Sequence, residues 1–157
     1  MKITLLTVGK TENNYLQQGI KVYIDRLGHY IKFDTIEVQL PAKLKSQNAE
    51  LVKEAEGKII LKHFSSADMI ILLDEKGKTY TSEEFATYLQ RFMNAGVRNL
   101  MFVVGGAFGF SKEVYDAAQA RLSLSAMTFS HQMVRLFFTE QLYRAFTIIR
   151  NEPYHNS

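Results

Sequence analysis

Three features of the sequence predict an α/β fold with a mostly parallel sheet and helices on both faces. Short apolar runs alternate with stretches of helical periodicity along the whole chain. Two of these runs, Met69–Leu73 and Asn99–Val104, are nearly continuous in apolar residues, as is typical of strands covered on both faces. The length of 157 residues suits one domain and is short for two. We therefore expect a single domain over residues 1–157.

The first half of the chain is predicted to contain two strands and two helices. Ile3–Val8 and Phe33–Leu40 have strand composition, whereas apolar residues recur at helical spacing in Asn14–Tyr30 and Leu51–Phe64. Residues 41–50 are polar and begin with a proline, so we expect a loop there. No small-residue cleavage site follows the first apolar run, which favours a buried strand over a signal peptide.

Beyond the strand Met69–Leu73, local motifs predict where the next elements begin and end. A turn is expected at Glu75–Lys78. Thr81 and Glu84 form a Thr-x-x-Glu capping box, which predicts the start of a helix. That helix is expected to stop at Gly96, because glycine commonly follows the last helical turn.

The last third of the chain is predicted to contain a helix, a short strand and a long final helix. Ser111 is the expected N-cap of a helix that reaches about Arg121. From Ser123, small hydroxyl residues alternate with Leu and Met, which suits a short strand that leaves the sheet into a loop. Ser130 is then the expected N-cap of the final helix, His131–Arg150.

The final helix is predicted to be apolar around more of its circumference than one core contact needs. Its apolar positions are Met133, Val134, Leu136, Phe137, Phe138, Leu142, Ala145, Phe146 and Ile149. A helix with so broad an apolar surface is either buried in its own domain or packed against a partner chain. We expect the second arrangement, a C2 homodimer formed through this helix.

The composition limits the class of protein. The formal net charge is +3, from 19 basic and 16 acidic residues, and the chain has no cysteine. The lack of cysteine excludes disulfides and thiolate chemistry and suits a cytoplasmic protein. No apolar run reaches the ~18 residues of a membrane span, so no membrane association is expected.

The type of basic residue changes along the chain. After residue 99, four of the five basic residues are arginine. The planar guanidinium group suits phosphates, carboxylates and stacked bases. Helix-surface charge and internal ion pairs explain any one of these arginines equally well.

Several common motifs are tested and excluded. Gly9-Lys10-Thr11 and Gly77-Lys78-Thr79 resemble the end of a phosphate-binding P-loop, but neither has the required earlier glycine. The four histidines form no helical pair, and no cysteine accompanies them, so a metal site is not expected. The sequence contains no Gly-x-Ser-x-Gly elbow for a serine nucleophile.

A glycine-rich turn follows the predicted strand that ends at Val104. The spacing Gly105-Gly106-x-x-Gly109 differs from that of a dinucleotide-binding fingerprint. A backbone without Cβ atoms still lets a ligand approach closely, although a simple tight turn explains the residues as well. In parallel sheets, ligands bind outside the carboxyl ends of the strands. The loops after Leu73, Val104 and Leu124 are therefore expected to meet in one crevice.

Five motifs in the second half of the sequence, taken together, resemble those of one known family. They are Gly105-Gly106-x-x-Gly109, Leu122-Ser-Leu-Ser-x-Met-Thr-Phe129, His131-Gln132-Met133-x-Arg135, Glu140-Gln141-x-Tyr143-Arg144-Ala145 and Pro153-Tyr154-His155. The chain resembles the ribosomal RNA large subunit methyltransferase H family of the SPOUT superfamily. The resemblance runs from the MKITLLTVGK opening to the Tyr-His pair near the C-terminus.

The resemblance implies a specific activity and a specific chain fold. Members of this family transfer a methyl group from S-adenosylmethionine to N3 of a pseudouridine in 23S rRNA of the assembled ribosome. They are homodimers and have a deep trefoil knot in the C-terminal half, which lines the cofactor pocket. The resemblance also implies that no separate RNA-binding domain is present, which fits 157 residues that leave none to spare for one.

The resemblance also implies which residues form the site. The implied cofactor-binding residues are Leu73, Gly105, Leu124, Ser125, Ala126, Met127, Thr128 and Phe129. The implied catalytic residues, which face the RNA, are His131, Arg144, Tyr154 and His155. No metal ion is implied.

The chemistry of such a reaction agrees with these residue types. A sulfonium donor is already activated, so the protein mainly aligns donor and acceptor. The imide N–H of a pseudouridine must also lose its proton. By residue type, His131 or His155 could accept this proton, and Arg144 could stabilise the developing anion.

Two alternative functions remain open from the sequence. The chain could be a non-catalytic ribosome-binding module of the same fold that has lost cofactor binding. It could also be a SPOUT enzyme that methylates a different RNA position, such as a ribose hydroxyl, because the geometry of the pocket decides the acceptor.

The sequence suggests that the active site is shared between two subunits. Tyr154 and His155 follow the last helix closely, so we expect them to stay near its C-terminal end. The cofactor loops lie near the other end of a helix of ~20 residues, which is ~30 Å away. We therefore expect the cofactor and His131 of one subunit to meet the tail of its partner.

Overall fold

The computed structural model describes residues 1–156 and contains one five-stranded sheet. The strand order is β2-β1-β4-β3-β5, and every neighbouring pair is parallel. The strands are Lys2–Val8 (β1), Lys32–Val38 (β2), Met69–Thr79 (β3), Asn99–Val104 (β4) and Ala120–Ser123 (β5). The predicted α/β fold with a parallel sheet is confirmed.

Helices cover both faces of the sheet, as predicted. They are Asn14–Leu27 (α1), Ala42–Lys45 (α2), Ala49–Leu61 (α3), Ser82–Asn94 (α4), Lys112–Ala117 (α5) and Met133–Ile149 (α6), with a 3-10 turn at Phe64–Ser66. Residues of α1, α4 and α6 form one buried apolar cluster with the sheet, and residues of α3 and α5 form the other. The alternation of strand side chains produces the two clusters, since Ile3 and Leu5 join the first whereas Leu6 and Val8 join the second.

Two predictions for loops are wrong. Residues 41–50 contain the short helix α2 and the first turn of α3, whose N-cap Asn48 accepts from the Leu51 N–H. The turn expected at Glu75–Lys78 lies instead inside β3, which shifts its register after Leu73 and then pairs Lys78 with Leu122 of β5. Because Leu73 and Lys78 both pair with Leu122, residues 74–77 form a large bulge within β3 instead of a turn that ends the strand.

Three helices end earlier than predicted. The helix α1 ends at Leu27 rather than Tyr30, α3 at Leu61 rather than Phe64, and α5 at Ala117 rather than near Arg121. In α5 the cause is tertiary, because β5 already begins at Ala120. The predicted capping box of α4 and the Ser111 cap of α5 are confirmed.

The last helix begins two residues later than predicted. Residues 131 and 132 form a turn, and Gln132 is the N-cap. The Ser130 hydroxyl still bonds the start of the helix, because it accepts from the backbone N–H of Met133, the first helical residue. The helix packs between α1 and α4 on the sheet. Much of its broad apolar surface is therefore covered within the subunit, and the breadth alone does not require a partner.

Among residues 1–156, no helix combines the length and apolar character needed to cross a membrane. The trefoil knot stays a prediction.

Candidate active site at the carboxyl edge of the sheet

A cleft of about 630 Å³ lies where the carboxyl ends of the central strands meet. Three segments line it: the chain from Leu73 to Lys76, the glycine turn from Val104 to Phe110, and the segment from Leu122 through His131. The second and third segments follow the ends of β4 and β5, as expected from the general rule for parallel sheets, whereas the first lies at the register shift within β3. Seven of the eight implied cofactor-binding residues line the cleft: Leu73, Gly105, Leu124, Ser125, Met127, Thr128 and Phe129. Ala126 is not among the lining residues.

A backbone hydrogen bond closes the glycine turn. The Gly109 N–H donates to the Gly106 carbonyl at 3.2 Å, and Gly109 has a φ of +82°, which favours glycine. A Cβ added to Gly105 would lie 3.2 Å from the Phe110 ring, closer than an ordinary contact. Gly105 is therefore needed for the close approach to Phe110, not for a positive φ.

Hydrogen bonds also fix the loop after β5. The Ser123 hydroxyl donates to the Ser125 carbonyl at 2.8 Å, and the Ser125 hydroxyl accepts from the Met127 N–H at 3.0 Å. The Thr128 hydroxyl donates to Glu75 across the cleft at 2.6 Å. The loop is thus preformed by its own hydroxyl residues.

Acidic residues give one wall of the cleft a negative character. Asp74 follows the buried part of β3 and accepts from the Tyr115 hydroxyl at 2.7 Å. Burial and this bond to Asp74 raise the pKa of Tyr115 to about 12, so it stays a neutral donor. Asp74 and Glu75 suit a ligand that carries positive charge.

His131 lies at the cleft with its imidazole half-buried. Burial lowers its pKa, and the nearby Arg135 cation lowers it further. The imidazole is therefore neutral near pH 7 and can accept a proton.

Arg135 holds the first turn of α6 in place. Its side chain is 1% exposed. The guanidinium donates to the carbonyls of Val8 at 2.7 Å and Gly9 at 2.9 Å, and to that of His131 at 3.3 Å. The end of β1 is thereby tied to the turn that carries His131.

The other three implied catalytic residues form a separate group, which we call the tail cluster: Glu83, Glu140, Arg144, Tyr154 and His155. Glu140 Oε1 accepts from Arg144 Nη2 at 2.5 Å and from the Tyr154 hydroxyl at 2.9 Å. Arg144 Nη1 lies 3.2 Å from His155 Nδ1, and the guanidinium stacks 4.8 Å from the centre of the Tyr154 ring. His155 Nε2 lies 2.8 Å from Glu83 Oε1.

The ionisation of the tail cluster follows from these bonds. The hydrogen bond to Glu140 raises the pKa of Arg144, and burial followed by bonds to Tyr23 and Glu140 raises the pKa of Tyr154. The hydrogen bond from His155 lowers the pKa of Glu83. The cluster therefore holds a permanent cation, a neutral phenol and an ionised carboxylate.

The structure does not bring the tail cluster to the cleft. Arg144, Tyr154 and His155 are not among the residues that line it, and Arg144 lies 13 positions beyond His131, ~20 Å along a helix. The expectation that the tail stays at the end of α6 is wrong, because Tyr154 folds back to bond Glu140 in the middle of the helix. A second cavity of about 430 Å³ has Glu140 on one side and Leu124 and Phe129, which also line the cleft, on the other.

Comparisons with known proteins agree with this architecture. Residues 1–155 match the family described as "Predicted SPOUT methyltransferase". The chain is 53% identical over 156 residues to the ribosomal RNA large subunit methyltransferase H of Christiangramia forsetii, with 99% of each chain covered. It is 50% identical over 159 residues to that of Porphyromonas gingivalis, again with 99% of each covered.

The chain belongs to the ribosomal RNA large subunit methyltransferase H family of SPOUT methyltransferases. Membership makes it an enzyme that uses S-adenosylmethionine, as the sequence predicted. Solved structures with little sequence identity share the fold. One is a probable methyltransferase from Bordetella pertussis, with a TM-score of 0.57 at 10% identity, covering 92% of this chain and 95% of that one. Another is a methylase family protein from Neisseria gonorrhoeae, with a TM-score of 0.52 at 15% identity, covering 99% and 86%.

Sequence reasoning missed one residue of the cleft and one of the tail cluster. Asp74 directly follows the apolar run Met69–Leu73, so the rule that ligands bind at carboxyl ends could have identified it. Glu83 carried no such signal, because an acidic residue in the first turn of a helix is ordinary. Only the folding back of the tail brings His155 within bonding distance of Glu83.

Proposed function

We propose that this methyltransferase transfers a methyl group from S-adenosylmethionine to N3 of a pseudouridine in 23S rRNA of the assembled ribosome. The observation that carries the proposal is the preformed cleft at the carboxyl edge of the sheet, with a neutral His131 on its wall. The names of the relatives support rRNA of the large subunit as the substrate. A cytoplasmic location follows from a ribosomal substrate.

The residues of the cleft fit S-adenosylmethionine. The backbone groups of the cleft at Gly105 and along Leu124–Phe129 can bond the polar edges of the cofactor. The carboxylates of Asp74 and Glu75 complement the net positive charge of the ligand. When bound there, the cofactor supplies an electrophilic methyl group.

His131 has the properties required to accept the imide proton of the acceptor base. It is neutral because of burial and Arg135, and it lines the same cleft as the cofactor residues. Arg144 would then stabilise the negative charge that develops on the base. Tyr154 would stack on RNA, since aromatic rings bind unpaired bases by stacking.

A homodimer would bring these residues together. The exposed rings of Phe129 and Phe137, 36% and 37% accessible, lie with their centres 4.8 Å apart, close to both cavities. A partner subunit that covers this pair could place its own Tyr154 and His155 beside the cleft. We propose such a shared site, with the cofactor and His131 from one subunit and the tail from the other.

Methylation of ribosomes from a strain that lacks this enzyme tests the activity. We expect incorporation of one methyl group into 23S rRNA, and mass spectrometry of the nucleosides should identify 3-methylpseudouridine. Methylation of a ribose hydroxyl would contradict the acceptor, whereas no methylation under conditions where the cofactor binds would contradict the activity.

Mixing two inactive variants tests the shared site. One chain lacks Pro153–Ser157 and the other carries Gly105→Val. In an equal mixture about half of the dimers are mixed, and each of these has one complete site, so about a quarter of the activity should return. An inactive mixture in which mass spectrometry detects mixed dimers would place the complete site within one subunit.

A further inference from the structure

A buried acidic residue of α3 lies directly behind the glycine turn of the cleft. The Glu56 side chain is 7% exposed, and within residues 1–156 its Oε2 has no hydrogen-bond partner. Burial raises the pKa of Glu56, and the backbone N–H of Gly106 opposes this rise. A buried carboxylate with unmet hydrogen-bonding capacity costs free energy of folding.

The fit between α3 and the turn is close on both sides. A Cβ on Gly106 would lie 2.5 Å from Glu56 Oε2 and 2.6 Å from Oε1. On α3, a Cβ on Gly57 would overlap the hydroxyl of Ser111, which caps α5. Gly106 of the turn thus faces Glu56 of α3, and Gly57 of α3 faces Ser111, which directly follows the turn. This packing fixes the carboxylate of Glu56 against the Gly106 backbone.

Gly106 has the cleft on one side and Glu56 on the other. Its carbonyl accepts the bond from Gly109 that closes the turn, and the residue itself lines the cleft. Any shift of the Gly106 peptide therefore moves the wall of the cleft.

We propose that Glu56 is a positioning residue for the cofactor: its buried carboxylate holds the Gly106 backbone in the position that S-adenosylmethionine requires. The proposal rests on the placement of the cofactor in the cleft. Glu56 does not touch the reacting atoms and acts through the turn alone. Its unmet bonding capacity lowers the stability of the ligand-free protein, a cost that a binding site can retain.

This role separates stability from binding. Replacing an unpaired buried polar group by an apolar group of similar shape is neutral or stabilising. Glu56→Met should therefore unfold at the same or a higher temperature than the parent. Its affinity for S-adenosylmethionine should fall about tenfold, the order of effect expected from losing one interaction that positions the turn. Glu56→Gln keeps an acceptor oxygen, so its affinity for S-adenosylmethionine should fall less.

The experiment measures thermal unfolding without ligand and calorimetric titration with S-adenosylmethionine. Glu54→Met is the matched control, because Glu54 is an exposed glutamate on the same helix, and its affinity should equal that of the parent. Unchanged affinity in a folded Glu56→Met variant would overturn the proposal. Failure of that variant to fold would also overturn it, since the carboxylate would then serve the fold. Lack of binding by the parent protein would instead refute the cofactor site itself.

A second pair of variants tests the contact from the other side. Gly106→Ala places a Cβ against the carboxylate and should lower both stability and affinity. Adding Glu56→Ala removes the carboxylate that the new Cβ would contact, so the unfolding temperature should recover. The affinity for S-adenosylmethionine should stay low, because Glu56 no longer supports the turn. Recovery of the parent affinity in the double variant would show that the carboxylate is not needed.

Discussion

The cleft and the tail cluster are built in opposite ways. The cleft is lined by the glycine turn and by loop segments next to the strands, and hydrogen bonds between Ser123, Ser125 and Met127 fix its loop. The tail cluster consists of charged and aromatic side chains that are bonded to one another. The cleft is therefore preformed, whereas Arg144 and Tyr154 would have to exchange partners to contact RNA as proposed above.

Under the proposed function, this difference suits the two regions to different steps. A preformed site loses little conformational entropy on binding, which suits a small cofactor. A group of mutually bonded side chains can be released by a larger partner that supplies new bonds. Variants that affect one region and spare the other test this division.

The largest expected effect is the loss of cofactor binding in Gly105→Val. A Cβ at this position already lies 3.2 Å from the Phe110 ring, and the two methyl groups of valine would extend further into the turn or the cleft. Gly105 is not among the glycines with positive φ, so the backbone itself tolerates a side chain. Calorimetry with S-adenosylmethionine should show no binding by a folded protein. Unchanged affinity would contradict the assignment of the cleft.

Deletion of Pro153–Ser157 is expected to have the reverse pattern. It removes Tyr154 and His155 but leaves the bond between Tyr30 and Glu152 that anchors the preceding chain. The rate of methyl transfer should fall at least ~100-fold, the usual range for removing groups that assist the reaction. The affinity for S-adenosylmethionine and the dimer mass should stay unchanged. If the deletion weakened cofactor binding as strongly as Gly105→Val, the cleft and the tail cluster would not have separate roles.

A smaller effect is expected from Glu140→Gln, which disturbs the centre of the tail cluster. The amide can still accept a hydrogen bond but carries no charge, so the guanidinium of Arg144 is held less firmly. The turnover rate should fall about tenfold with little change in cofactor affinity. Asp116→Asn is the matched control, because Asp116 forms an exposed pair with Lys112 at the same helical spacing. An equal effect of both substitutions would show that Glu140 has no special role.

The smallest expected effect is a displaced pH profile. The pKa of His131 is lowered by burial and Arg135. As a proton acceptor it should stay active as the pH falls through the ordinary histidine value of about 6.5, and lose activity only below it. Its contribution to stability has the same sign: the unfolded state binds the proton more readily, so acid destabilises the fold. An acid limb of the rate at or above that value, measured at saturating substrate, would exclude His131.

Local sequence patterns determined most of the elements, because short-range forces decide them. The capping box at Thr81 and Glu84 and the apolar runs of β1, β3 and β4 predicted real elements, and alternating order predicted a parallel sheet. The family motifs also indicated a cleft that the structure contains. Side-chain spacing and capping depend on a few neighbouring residues, which the sequence displays directly.

Tertiary pairing decided the remainder. Pairing with β5 keeps Lys78 in a strand, and the same strand shortens α5. The return of Tyr154 to Glu140 and the position of Glu56 behind Gly106 join residues far apart in the chain. No local pattern encodes such contacts, because their free energy comes from surfaces that meet only after the helices pack on the sheet.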